Sequence, residues 1–247
     1  MVSESDHTVQ AVALRVIKYG EASLIANCYT LQYGLQSYML KGILSSKGKK
    51  KISKSLFEPL TLLEIQASKN SENRLGYIKE AKLAHPFHTI PYDINKKALL
   101  FFMAEVLYQV VREDQEPHPA LFEFIKEKLL WLDHKNTIGL FHIKMMLDLT
   151  QFIGFSPNLT HPEAPFFDLE SGCMTFEKPR NSFIEVPLKN TWIKLLGIDF
   201  DRIGEVFVSK QDKTALLKYV ISYFELHLQQ FKVPKSTEVL NEIFKTP

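Results

Sequence analysis

Six lysines, Lys41, Lys47, Lys49, Lys50, Lys51 and Lys54, fall within fourteen residues that contain no acid. Gly42 and Gly48 make this stretch adaptable, and Ser45, Ser46 and Ser53 add hydroxyl donors. Flexible point charges of this kind neutralise phosphates and release counterions. The chemistry they suit is sequence-independent, salt-sensitive contact with a nucleic-acid backbone. A block of like charge can equally be a solvated loop. Tyr29, Tyr33, Tyr38 and Phe57 flank the run, and single-strand-binding barrels stack bases on such rings. Tyr33, beside the Gly34 turn, is the ring expected at the surface. Arg15 and Lys18 are further basic candidates, although either could simply flank a strand.

Other constellations carry less. His85, His88 and His142 lack a further ligand at metal-binding spacing, and two cysteines, Cys28 and Cys173, complete neither a zinc centre nor a disulfide framework. Asp199, Asp201 and Glu205 surround Arg202 in the manner of a polar helix start. No nucleophile elbow, phosphate-cradling glycine loop or dinucleotide fingerprint occurs. No cofactor, no metal site and no catalytic residue is therefore expected.

The chain has 247 residues and a formal charge of +2, which says little until it is located. Residues 1–80 hold 11 Lys or Arg against 7 Asp or Glu, leaving the remainder slightly acidic. The basic excess is an N-terminal property. No run approaches the roughly 20 apolar residues of a membrane span, and the start lacks a secretory pattern. A cytoplasmic protein without a membrane partner is expected.

The elements that must hold these residues divide by periodicity. Val9–Val16, Ser23–Leu31 and Leu35–Leu44 have strand composition, with Gly20 and Gly34 at turns. After Pro86 and Pro91 the period becomes helical, with Asp93 at the N-cap position and Leu99, Phe102, Val106 and Val110 on one face. Leu121–Leu132, Ile138–Ile153 and Asp212–Phe231 follow as helices of a bundle. Ser236 can cap a last helix to Phe244. Prolines and glycines interrupt 154–187, where only a hairpin about Ser171-Gly172 fits within a loop-rich insert.

The ordered set Gly20-Glu-Ala-Ser-Leu24, Tyr29-Thr, Tyr33-Gly34, Lys41-Gly42 and Ser53-Lys-Ser-Leu56-Phe-Glu-Pro59 resembles the opening of the RecO recombination mediators. The likeness continues through Met103-Ala-Glu105, Leu121-Phe122, Leu149-x-x-Phe152-x-Gly154-Phe-x-Pro157-x-Leu159 and Pro234-Lys-Ser236-x-x-Val-Leu240, nearly spanning the chain. It implies an α+β protein: an oligonucleotide-binding (OB-fold) β-barrel over 1–82 and an α-helical bundle domain over 83–247. Many relatives carry two Cys-x-x-Cys pairs after the Pro-x-Leu segment, whereas here Thr160, His161 and Glu163 follow. The insert at about 155–187 is then a zinc-ribbon-like shape lacking metal, held by Phe166, Phe167, Leu169 and Phe176.

The resemblance further implies a non-enzymatic, nucleoid-associated mediator of gap and recombinational repair. Such a protein binds single- and double-stranded DNA and anneals it. It works with a RecR-type protein, recognises the C-terminal tail of single-stranded-DNA-binding protein and helps load a RecA-type recombinase. Lys41, Lys47, Lys49, Lys50, Lys51 and Lys54 are the matched DNA-binding candidates, with Arg15, Lys18, Lys235 and Tyr33 behind them. An acidic, Phe-ending tail would need an apolar groove with a cation at its mouth, for which Lys126, Lys128 and Lys144 are guesses that no motif selects. The rival reading is an adaptor whose basic barrel docks acidic protein surfaces.

Overall fold

The computed structural model describes residues 7–45, 52–68, 75–136 and 138–245. These form two compact units, Met1–His134 and Lys135–Pro247. In the first, β1 (His7–Tyr19), β2 (Ser23–Thr30), β3 (Gly34–Leu40), β4 (Leu62–Ala67) and β5 (Gly76–Leu83) close a barrel in the order β1-β2-β3-β5-β4. β1 pairs antiparallel with β4, and β3 pairs parallel with β5. This is the OB-type closure expected from the resemblance.

Val9, Ala11 and Ala13 of β1, with Leu24, Ala26, Cys28, Tyr38, Leu40, Ile65 and Ile78, fill the interior. The register of β1 against β2 shifts between Ala13 and Arg15, and such a bulge re-aims the residues that follow it. Val12 and Leu14 are also buried, and α1 (Ile94–Glu113) packs against β1. A strand covered on both sides reads as a nearly continuous apolar run, as Val9–Val16 does. Burial pushes the Cys28 thiol up to about 12, which makes it an inert core residue.

Asp93 caps α1, accepting hydrogen bonds from the backbone N–H groups of Asn95 at 2.8 Å and Lys96 at 3.2 Å. α2 (Pro119–His134) ends on a buried carboxylate. Asp133 accepts from the N–H groups of His88, Thr89 and Ile90 at 2.8, 2.8 and 3.0 Å. Burial alone would raise this carboxyl, but those donors outweigh it and hold the group at about 2. Lys96 is buried beside it, donating to the Asp133 carbonyl at 3.0 Å and to the Thr89 hydroxyl at 2.6 Å. The segment leaving the barrel is thereby tied to both helices. α1 and α2 belong to the same compact unit as the barrel, whose limit falls at His134.

The second unit contains α3 (Phe141–Leu149), α4 (Leu188–Gly197), α5 (Lys210–His227) and α6 (Thr237–Lys245). Its insert forms the expected hairpin from β6 (Phe166–Asp168) and β7 (Cys173–Thr175). A third strand unforeseen in the sequence, β8 (Phe183–Glu185), pairs with the other edge of β6. Phe167 and Leu169 are buried, and the Phe167 ring lies 5.4 Å from Trp192 and 6.0 Å from Tyr223. The buried Lys189 ammonium donates to the carbonyls of Pro162 and Ala164 at 3.0 and 2.7 Å. Packing and these hydrogen bonds hold the insert. Phe176, expected among its core, is instead 61% exposed. Among the described residues no group of three or more His, Cys, Asp or Glu could hold a metal ion. Ser236 precedes α6 as expected, but its hydroxyl is buried with no hydrogen-bond partner among the described residues and so does not cap the helix.

Candidate nucleic-acid interface

Of the matched lysines, Lys41 follows β3 and Lys54 begins a short 3-10 turn, Lys54–Phe57, and both are exposed. Ser53 caps that turn by accepting from the Ser55 N–H at 3.3 Å. Lys47, Lys49, Lys50 and Lys51 lie outside the described residues.

Arg15 is held in one orientation. Its Nε donates to Asn27 Oδ1 at 3.0 Å and its Nη2 to the Tyr108 hydroxyl at 2.6 Å, while Cζ sits 3.6 Å from the Tyr108 ring centroid. Asn27 passes the chain on, donating to Ser37 Oγ at 2.6 Å. The Arg112 guanidinium lies 5.9 Å from the same ring. A guanidinium has five donors. Arg15 spends two of them on its supports and, being exposed, presents others to solvent. An anchored arginine loses little freedom on meeting a phosphate, unlike the lysines on their flexible stems.

Beyond the bulge the strand register assembles a surface that sequence reading missed. Ile17 pairs with Ile25, Ile25 with Met39, and Met39 with Tyr77. This row crosses β1, β2, β3 and β5, and Ile17 is 43% and Tyr77 53% exposed. The next row is polar, Arg15 opposite Asn27 and Asn27 opposite Ser37. Tyr19, 53% exposed, lies two residues beyond Ile17, with exposed Lys18 between them. An apolar row with aromatic members and cations beside it can take bases on its flat groups and phosphates on its charges. Tyr33 is less exposed than its position suggested. It is half-buried against the barrel interior, and its N–H donates to Thr30 Oγ1 at 3.1 Å.

The three partner-binding guesses separate. Lys126 is paired with Glu123 at 3.1 Å and borders a groove of about 280 Å³ lined by Leu62, Ala84, Phe122 and Leu130. Lys128 lies 5.3 Å from the Phe124 ring. Lys144 is buried within the molecule: its side chain is 4% exposed and its ammonium is 2.5 Å from Asp148. Lys235 is exposed just before α6.

A closed OB-type barrel with a basic segment, joined in sequence to a helical part with a small three-stranded insert, defines a class of barrel-and-helix proteins. The family model described as Recombination protein O N terminal matches residues 3–87, and that described as Recombination protein O C terminal matches residues 91–237. The chain is 37% identical over 235 residues to the DNA repair protein RecO of Flavobacterium psychrophilum, covering 95% of this chain and 98% of that one. It is 33% identical over 238 residues to the DNA repair protein RecO of Bacteroides fragilis, with 94% and 97% covered. The corresponding protein of Porphyromonas gingivalis is 27% identical over 241 residues, with 95% and 98% covered. The chain belongs to the RecO family of DNA repair proteins.

Proposed function

We propose that this chain is a recombination mediator that holds DNA on its barrel, phosphates on Arg15 and on the lysines from Lys41 to Lys54, bases along the row from Ile17 to Tyr77. The observation that carries the reading is the cross-strand row, exposed at its Ile17 and Tyr77 ends, with the anchored Arg15 guanidinium in the row beside it. The residues offered to DNA supply charge and stacking surface, not proton transfer or a nucleophile, so binding and annealing need no chemistry from this chain. A RecR-type protein, the C-terminal tail of single-stranded-DNA-binding protein and a RecA-type recombinase are the partners this role entails, in the cytoplasm and at the nucleoid.

Titrating a fluorescent single-stranded oligonucleotide at two salt concentrations tests the reading. Binding that weakens steeply with salt is expected, because each neutralised phosphate contributes about 0.7 to the logarithmic slope for a single strand. A protein that retains no DNA at low salt yet still captures the acidic tail would be an adaptor instead.

A further inference from the structure

We infer that an apolar pocket between the 3-10 turn after Lys54 and the start of α1 receives one unstacked base of a single strand. The inference rests on the DNA-binding reading above and assigns it a second, separate contact. The pocket measures about 580 Å³ and is walled by Leu83, Phe87, Leu100 and Phe101. Phe101 is 50% exposed. His85 also lines the pocket.

Charge selects the occupant. Lys97 and Glu58 both border the pocket, leaving its lining without net charge. A phosphate or an acidic peptide would meet Glu58 unfavourably. A neutral base can stack on Phe101 and donate an exocyclic amine to Glu58. Its flanking phosphates fall to Lys97, which makes no ion pair among the described residues, and to the exposed Lys54, whose chain neighbour Ser55 lines the pocket. A paired base in a duplex cannot enter, so the pocket discriminates single from double strands, which a phosphate-binding segment by itself does not.

Oligonucleotides carrying 2-aminopurine, whose fluorescence falls when it stacks, test this on the full chain. Quenching on binding is expected with wild type and not with Phe101→Ala. That variant should bind a single strand roughly 5- to 100-fold more weakly, the range of one lost stacking contact. Its salt slope and its affinity for duplex should match wild type. His85→Ala, at a half-buried position, should weaken single-strand binding in the same selective way. Equal single-strand affinity in wild type and both variants would overturn the pocket while leaving salt-dependent binding intact. A short acidic peptide that binds wild type and not Phe101→Ala, with DNA binding unaltered, would also overturn it by giving the pocket to a protein. No DNA binding by wild type at any salt would remove the reading on which the pocket rests.

Discussion

Single residues here are constrained by what approaches them, often from far away in the chain. Gly34 has φ +62°, and a Cβ added there would lie 2.0 Å from the carbonyl oxygen of Gln115. Neither the left-handed backbone nor the contact tolerates a side chain, so Gly34→Ala should destabilise the protein by more than about 1 kcal/mol. A drop in the urea midpoint without loss of slope would show it. The glycine turn was legible in the sequence; the backbone pressed against it was not. Arg15 gives the same lesson, because the Tyr108 that stacks on it is 93 positions distant and no local pattern pairs them.

His142 makes a second prediction at this scale. The ring is 1% exposed, and burial, helped by the Lys213 ammonium, pushes it down to about 3. The unfolded chain takes up a proton near pH 6.5 that the folded chain refuses, so stability falls as pH drops from about 6.5 toward 3. The slope is at most roughly 1.4 kcal/mol per pH unit. Denaturant midpoints at pH 7 and pH 5 should separate for wild type and draw closer together in His142→Gln. An unchanged pH dependence in the variant would refute the assignment.

Among the elements, Asp133 joins three that the sequence separates: the segment after β5, α1 and α2. Asp133→Ala strands three backbone N–H groups and removes the negative charge beside the buried Lys96, whose hydrogen bond to the backbone carbonyl of residue 133 remains; the change should cost on the order of 3 kcal/mol or more, since each unsatisfied buried donor is penalised by about 1–3 kcal/mol. Chemical denaturation measures it. The carboxylate titrates at about 2 rather than near 3.8, so the stability it confers is present above about pH 4 and is lost only as pH falls through that lower value. This window lies below the one in which His142 first weakens the fold, and the two can be measured apart.

The helices were legible because an N-cap such as Asp93 and a repeating apolar face are local signals. The row Ile17, Ile25, Met39 and Tyr77 was not. Its existence depends on the register of four strands and on the bulge between Ala13 and Arg15. The apolar run through Val9–Val16 hides that change of side, because α1 covers the strand where alternation would otherwise expose polar residues. β8 was hidden for a related reason. Three residues ending near Pro187 have no periodicity of their own, and only the edge of β6 makes them a strand.

At the scale of the molecule, family membership rests on matches over both parts of the chain, and DNA repair follows from it. How the chain holds DNA is the central proposal. Fluorescence anisotropy of a labelled single strand, followed from low to moderate salt, measures it most directly when wild type is set beside a variant in which Lys49, Lys50 and Lys51 are all changed to Glu. The expected result is weaker binding and a logarithmic salt slope smaller by about 2, as three phosphate contacts at roughly 0.7 each are lost. Identical isotherms and slopes for the two proteins would contradict it.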